Sequence, residues 1–223
     1  MNLTLFDLDH TLLAADSDHM WGQFLVDKAI VDADWYAREN NRFYEQYQAG
    51  TMDVHAYQRF ALQPLVDNPP EQLLALREEF IEHWIRPAVA RQAQALIASR
   101  RAAGDCMAII TATNRFVTEP IAALLHIDHL IATEPEVIDG RHTGELSGPA
   151  CFQAGKIDCL AVWRRRQPQV FERTRFYSDS HNDLPLLRHV DTAIAVDPDA
   201  RLAAVAAAEG WPVISLRGAE VLV

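Results

Sequence analysis

Residues 2–13, NLTLFDLDHTLL, read as an apolar strand that runs into two carboxylates, Asp7 and Asp9. Residues i and i+2 of a strand point the same way, so both carboxylates would project from its carboxyl end, where parallel α/β sheets bind their ligands. Two acids that close repel each other, which indicates a hard metal ion, acid–base chemistry or both. Taken alone, the pair favours the start of a turn, because Asp is a common turn residue.

The rest of the chain alternates helical and strand patterns. Short apolar runs predict strands at 107–110, 175–178, 193–196 and 212–215, and Ala-rich or amphipathic segments between them predict helices, such as 89–103 and 154–166. Asp139-Gly140 predicts a hairpin turn within 131–148. Residues 16–84 carry helical periodicity only. The pattern predicts an α/β fold, a doubly wound, mostly parallel Rossmann-like sheet with a helical insertion after the first strand.

Composition narrows the class of protein. The chain has 223 residues, of which 49% are hydrophobic, and its formal net charge is −11. The negative charge disfavours nucleic acid and anionic membranes as partners. No apolar run reaches the length of about 18 residues that a membrane span needs, and no signal-peptide pattern begins the chain, so we expect a cytoplasmic location. Three cysteines without CxxC spacing argue against a disulfide framework or a structural zinc site.

Side chains with useful chemistry follow three of the predicted strands. They are Asp7 and Asp9, then Thr111, then Asp179 and Asp183, with Lys156 at a helix start between the last two groups. The carboxyl ends of parallel strands converge, and carboxylates, a hydroxyl and an ammonium group around one crevice suit phosphoryl transfer through an aspartyl phosphate. In this interpretation Asp7 attacks phosphorus, Asp9 exchanges protons with the leaving group and water, and Thr111 and Lys156 hold the transferring oxygens.

A hard cation completes this interpretation. Mg²⁺ prefers oxygen ligands and would bridge Asp7, Asp179 and the phosphate, so that the anionic nucleophile can approach an anionic target.

These residues resemble the motifs of the haloacid dehalogenase (HAD) superfamily, in the branch that contains phosphoserine phosphatase. Asp7-Leu8-Asp9-His10-Thr11 is similar to the first motif, Thr111 to the second, Lys156 to the third and Asp179-Ser180-His181-Asn182-Asp183 to the fourth. The resemblance implies that Mg²⁺ is held by Asp7, the carbonyl of Asp9 and Asp179, with Asp183 nearby. It also implies a catalytic core of residues 1–15 and 85–223, with residues 16–84 as a helical C1 cap.

Five further residues are candidate ligands of the substrate. Asp16 falls where phosphoserine phosphatases place the acid that holds the substrate amine. The others lie within or just beyond the motifs, and they are Thr11, Asn114, Arg115 and Asn182. Asn114 and Arg115 could instead simply begin the helix that follows Thr111.

The predicted partner is a small phosphorylated metabolite, and the sequence leaves the oligomeric state open. In phosphoserine phosphatases a cap arginine clamps the substrate carboxylate, but here Ala61 falls at its position and Arg59 lies two residues away. A buried carboxylate without that partner is costly. We therefore expect an amino-alcohol phosphate with a larger apolar or aromatic group, with L-histidinol phosphate as the best candidate and phosphoserine as the alternative. A phosphomutase and a phosphorylatable receiver-type module are the rival functions, although receiver modules lack both the insertion and the acid at position 9.

Overall fold

A six-stranded, all-parallel sheet forms the centre of the computed structural model, which describes residues 1–218. The strands, in chain order, are β1 (Leu3–Phe6), β2 (Cys106–Asn114), β3 (His129–Thr133), β4 (Pro135–Ile138), β5 (Arg141–Leu146), β6 (Thr174–Ser178), β7 (Thr192–Val196) and β8 (Val213–Ile214). The sheet has the order β3-β2-β1-β6-β7-β8, and β4 pairs with β5 in a separate antiparallel hairpin. The predicted α/β fold class is therefore confirmed.

Helices connect these strands on both faces of the sheet. In chain order they are α1 (Ser17–Asp27), α2 (Ala33–Ala49), α3 (Val54–Asp67), α4 (Pro70–Phe80), α5 (Arg86–Ala88), α6 (Ala93–Ala102), α7 (Arg115–Leu124), α8 (Gly155–Arg165), α9 (Leu184–Leu187) and α10 (Ala200–Glu209). A wider helical turn at Ile81–Ile85 joins α4 to α5. None of the helices in residues 1–218 is long and apolar enough to cross a membrane.

Alternate residues of each strand enter two separate apolar cores, as the period of a strand requires. Leu5, Ile110 and Phe176 lie in the core on one face, whereas Phe6 and Tyr177 lie in the core on the other. The second core continues into the predicted cap, since buried side chains of α1 and α4 belong to it: Trp21, Phe24, Leu25 and Phe80. This shared packing fixes the first and last cap helices against the sheet.

The helical insertion between β1 and β2 is the predicted one. Its inner helices have a small core of their own, formed by Tyr36, Phe43 and Phe60. The boundaries predicted for the two domains, 1–15 with 85–223 and 16–84, stay a prediction, and residues 219–223 of that core lie outside the described residues. The term "cap" below means residues 16–84.

Three local predictions differ from the structure in their extent. Strand β2 continues beyond Thr111 to Asn114, because Asn114 still pairs with Thr133 of β3 after an irregularity in the register. The helix predicted from residue 89 begins only at Ala93, since Ala90 N–H bonds to Leu12 O instead of starting the helix. The last strand is confined to Val213–Ile214.

The predicted hairpin is present. Asp139 and Gly140 have φ values of 51° and 76°, the positive values that a tight two-residue hairpin turn requires. Leu146 of β5 packs against a buried cluster of Leu62, Leu65 and Leu73, so the hairpin supports α3 and α4 from the side of the core.

Candidate active site

The candidate site lies where the strand order reverses. Chain segments leave β1 for β2 on one side and later return to β6 on the other, which makes the carboxyl end of β1 a topological switch point. Phe6 pairs with Ile109 of β2 and with Tyr177 of β6. Asp7 therefore leaves the sheet between the ends of its two neighbours, Thr111 on β2 and Asp179 just after β6.

Lys156 connects two of the predicted carboxylates. Its Nζ lies 2.8 Å from Asp7 Oδ1 and 2.7 Å from Asp183 Oδ1, and its side chain is only 3% exposed. Ser178 donates a hydrogen bond of 2.7 Å to Asp183 Oδ2. Although burial acts to lower the pKa of Lys156, Asp183 and Asp7 together raise it above its ordinary value, so the ammonium form persists.

Gly155 makes this position of Lys156 possible. A Cβ at residue 155 would lie 2.2 Å from Ala150 O, so any other residue would force the start of α8 and the backbone at Ala150 apart. Lys156, the second residue of that helix, would then lose its contact with Asp7.

The site has more buried negative charge than Lys156 can neutralise. Burial raises the pKa of Asp7 to about 7 although Lys156 acts to lower it. Burial, together with Asp7 and Asp183, also raises the pKa of Asp179 well above its usual range, and Thr11 donates to Asp179 Oδ1 at 3.2 Å. A hard divalent cation is the natural partner for such a set of oxygens. Within residues 1–218 no three His, Cys, Asp or Glu side chains form a metal-binding cluster.

Asp9 lies in a different setting from Asp7. Its Oδ1 accepts from Ser17 N–H at 2.7 Å, and its Oδ2 accepts from Thr113 Oγ1 at 2.9 Å and from Thr111 Oγ1 at 3.4 Å. Removal from bulk water, and then the charge of Asp16, raise the pKa of Asp9 above its usual value. A carboxyl group with a raised pKa can hold the proton that a leaving alkoxide needs.

A cavity lies above Asp7 and Asp9 and is walled by the cap. Besides the strand ends, its lining comprises Asp16, Asp18, His19, Asn40, Phe43, Tyr44, Tyr47, Met52 and Tyr57. No lysine or arginine lines it in the described part of the chain. The cap side therefore presents two carboxylates and several aromatic rings to a bound molecule.

The five predicted substrate ligands do not all reach this cavity. Asp16 lines it, with its Oδ1 occupied by the N–H groups of Asp18 and His19. Thr11 donates a hydrogen bond to Asp179. Asn182 donates to Tyr47 O at 3.0 Å and so connects the core to the cap.

Two of the predicted substrate ligands, Asn114 and Arg115, do not line the cavity above Asp7. Asn114 Oδ1 accepts from Val117 N–H and caps α7, and only 1% of the residue is exposed. Arg115 forms paired hydrogen bonds of 2.7–2.9 Å with Glu134 and lines a separate pocket below the hairpin. The alternative interpretation therefore holds for both residues, since Asn114 is the N-cap of α7 and Arg115 is its first residue.

Sequence reasoning missed Thr113, Asp18 and Tyr57. Thr113 holds Asp9, and it could have been found because it lies two residues after Thr111 and thus on the same face of β2. Asp18 and Tyr57 contact each other across the cap, 39 residues apart, and no local motif marks them.

Comparisons with known proteins agree with this geometry. The model of the family described as haloacid dehalogenase-like hydrolase matches residues 4–188. The chain belongs to this family. It is 41% identical over 220 residues to a histidinol-phosphatase of Neisseria meningitidis, covering 97% of this chain and 99% of that one. It is also 30% identical over 215 residues to a phosphoserine phosphatase of Mycobacterium tuberculosis, covering 95% and 70%.

Solved structures show the same fold. A protein of unknown function from Bordetella pertussis has a TM-score of 0.91 and 42% identity, with 96% of this chain and 98% of that chain covered. A phosphoserine phosphatase in a phospho-aspartyl intermediate analogue has a TM-score of 0.69 at 18% identity, with 97% and 93% covered. The family match and the two phosphatase relatives that are 41% and 30% identical identify this HAD-like hydrolase as a phosphatase.

In this hydrolase the end of α2 is tied to the loop after β6. Arg201 Nη1 donates to Ala49 O at 3.1 Å and lies 3.2 Å from His181 Nε2, while His181 Nδ1 lies 2.7 Å from Asp199 Oδ2. We call these contacts, with the Asn182–Tyr47 bond, the cap latch. The cavity beneath measures about 40 Å³, much less than the roughly 150 Å³ cavity that admits a benzene ring. A ligand with a ring therefore needs more room than this cavity provides.

Gly50 leaves room for His181 of the cap latch, and replacing Gly50 tests how much this close approach matters for stability. Gly50 has φ +72°, and an added Cβ would lie 2.9 Å from His181 Nε2. Gly50→Ala is expected to lower the free energy of unfolding by more than the roughly 1–2 kcal/mol of left-handed strain, because His181 must also leave Arg201. Gly210→Ala is the matched control, since Gly210 has φ +70° but no atom within 4 Å of an added Cβ. Urea unfolding measures the free energy of unfolding of both variants. Equal losses would show that the contact between the added Cβ and His181 has no effect on stability.

Proposed function

We propose that the protein is a Mg²⁺-dependent phosphatase of a small amino-alcohol phosphate, and that its substrate is L-histidinol phosphate. The observation that carries the proposal is the cavity above Asp7. Its cap side presents the carboxylates of Asp16 and Asp18 among aromatic rings, without a lysine or arginine in the lining that residues 1–218 provide. Such a cavity favours a substrate whose organic part is cationic and ring-bearing over one that carries a carboxylate. The histidinol-phosphatase relative supports the same substrate.

The cap position at which phosphoserine phosphatases carry the arginine that clamps the substrate carboxylate is occupied here by Ala61, on α3. Ala61 is 6% exposed and Arg59 is exposed on α3, and neither residue lines the cavity. Phosphoserine would bring its carboxylate next to Asp16 and Asp18, and like charges at short range in a partly dry site repel strongly. Phosphoserine is therefore the disfavoured alternative.

In the proposed reaction Asp7 acts as the nucleophile. Its carboxylate forms a bond to phosphorus as the phosphorus–oxygen bond of the ester breaks, and Asp9 gives its proton to the departing alkoxide. A water molecule then attacks the aspartyl phosphate, Asp9 takes the proton of that water, and Asp7 is released as a free carboxylate. Lys156, 2.8 Å from Asp7, offsets charge on the nucleophile and donates to a phosphoryl oxygen, together with Thr111.

The oxygen-rich set beneath the cavity fits Mg²⁺. We propose Asp7, the Asp9 carbonyl and Asp179 as its ligands, with Asp183 nearby, and bound Mg²⁺ would neutralise the charge that otherwise repels an anionic phosphate from Asp7. Asp183 already accepts hydrogen bonds from Lys156 and Ser178, so its role is to position Lys156 and the loop after β6 that carries Asp179. A cytoplasmic location and a small phosphorylated metabolite as partner belong to the same proposal, and the free thiols of Cys106, Cys151 and Cys159 support the location.

The substrate assignment is tested by comparing kcat/KM for L-histidinol phosphate and L-phosphoserine in the presence of Mg²⁺. We expect a preference of tenfold or more for L-histidinol phosphate, because only its organic part matches the charge of the cavity. Arg59→Ala is the control, and it should leave both values unchanged, since Arg59 lies outside the cavity. A preference of tenfold or more for L-phosphoserine would overturn the assignment and show that an arginine reaches the substrate.

A further inference from the structure

Asp18 is a second buried carboxylate of the cap, and none of the four HAD motifs includes it. It is the second residue of α1, lines the cavity beside Asp16 and is 8% exposed. The hydroxyl of Tyr57, on α3, donates to its Oδ2. No hydrogen bond within residues 1–218 reaches its Oδ1, and Asp18 has no ion pair with any described lysine or arginine.

Helix capping does not explain Asp18. The N-cap of α1 is Asp16, whose Oδ1 accepts from Asp18 N–H at 3.0 Å and from His19 N–H at 2.8 Å. An acid that merely complements a helix dipole gains as much on the surface, where it stays hydrated. Asp18 is buried instead, next to the charges of Asp16 and Asp9, and burial raises its pKa to about 7 although Tyr57 acts to lower it. The cavity thus holds a carboxylate whose ionised form has no cationic partner among residues 1–218.

Flat aromatic walls surround this carboxylate. The rings of His19 and Tyr44 lie 4.7 Å apart between centroids, and those of Phe43 and Tyr57 lie 5.2 Å apart. All four side chains line the same cavity as Asp18. Aromatic faces attract cations and planar rings, and a carboxylate among them can accept an N–H from such a ring.

We propose that Asp18, positioned by Tyr57, accepts a hydrogen bond from the ring N–H of a nitrogen heterocycle on the substrate, while Asp16 binds the ammonium group. The inference rests on the proposed function, because it assigns the ring of the same substrate. Imidazole donates an N–H in both of its protonation states, and in its cationic state it also neutralises the carboxylate. Two carboxylates on the cap side thus match the two nitrogen-bearing groups of one amino-alcohol phosphate.

The test compares two substrates that differ only in the ring. L-Phenylalaninol phosphate has the amine and the phosphate of L-histidinol phosphate, but its ring carries no nitrogen. Asp18→Asn is expected to lower kcat/KM for L-histidinol phosphate by about 10- to 100-fold, the usual effect of losing a hydrogen bond to a charged group. For L-phenylalaninol phosphate the loss of kcat/KM should be about threefold or less. The larger loss for L-histidinol phosphate should appear in KM, since the ring is remote from phosphorus.

Three further variants sharpen the comparison. Asp16→Asn should reduce kcat/KM for both substrates, because both carry the amine. Tyr57→Phe keeps the charge of Asp18 but removes the hydrogen bond that positions it. It should give a smaller loss of kcat/KM, again only with L-histidinol phosphate. Asp34→Asn removes an exposed cap carboxylate and controls for a change in net charge.

The outcomes separate this inference from the proposed function. If the wild type prefers L-phosphoserine, the substrate assignment itself fails. If the wild type prefers L-histidinol phosphate but Asp18→Asn and Tyr57→Phe change kcat/KM equally for both ring substrates, or change neither, Asp18 does not contact the ring and the inference is overturned. Should Asp18→Asn not fold, as judged by circular dichroism, the Tyr57→Phe comparison decides in the same way.

Discussion

Replacing Asp7 with asparagine is expected to reduce phosphate release by on the order of 10⁴-fold or more, because the amide cannot attack phosphorus. Asp7 lies 2.8 Å from the ammonium group of Lys156, and both lie at the switch point of the sheet. Every step of the proposed reaction passes through this carboxylate. The measurement is phosphate release from L-histidinol phosphate with Mg²⁺ by the variant and the wild type.

The variant is expected to remain folded. Asparagine has nearly the same shape as aspartate, and Lys156 keeps Asp183 as a partner at 2.7 Å. Circular dichroism and urea unfolding check this, with Asp34→Asn as the matched control at an exposed position. Near-normal turnover by a well-folded Asp7→Asn protein would end the aspartyl-phosphate proposal.

Asp9→Asn is expected to lower kcat for alkyl phosphates by on the order of 10² to 10⁴-fold, the usual contribution of a general acid–base group. Thr113 and the N–H of Ser17 hold the Asp9 carboxyl, and burial keeps its pKa raised, so that it can carry the proton of the leaving group. The loss should be smaller for an activated aryl ester such as p-nitrophenyl phosphate, whose leaving group departs without a proton.

Steady-state kinetics with both esters makes this comparison internal to one variant, so errors in active-enzyme concentration cancel. A loss of kcat that is equal for aryl and alkyl phosphates would show that Asp9 does not protonate the leaving group. Asp9 would then serve the site through another property, such as its contact with Thr113 or its backbone carbonyl.

Much of the core of this site could be predicted from the sequence because parallel strands impose a simple geometry. The ends of β1, β2 and β6 must converge, so Asp7, Thr111 and Asp179 were expected together before any contact was known. Lys156 has no local signal, and only its order in the series of motifs marks it as a candidate. The structure places it on Asp7 because Gly155 lets α8 begin close to Ala150.

The cap side of the site resisted prediction because its contacts join distant segments. Asp18 has the local pattern of an ordinary first-turn helix acid, and only the contact with Tyr57, 39 residues later, shows that it is buried. Arg115 looked available for phosphate, but Glu134, 19 residues away, binds it elsewhere. Helical periodicity predicts that residues 16–84 form helices, but it does not predict how those helices pack on one another.

The most direct test of Asp7 as the nucleophile is to look for the phosphoryl group on it. Wild-type enzyme is mixed with L-histidinol phosphate and Mg²⁺, quenched in acid within the first turnover and analysed by peptide mass spectrometry. We predict one phosphoryl group on the peptide that carries Asp7, and none when the Asp7→Asn protein is treated in the same way. A wild-type protein that releases phosphate but never carries a phosphoryl group on Asp7, even when quenched before the first turnover is complete, would contradict the proposed mechanism.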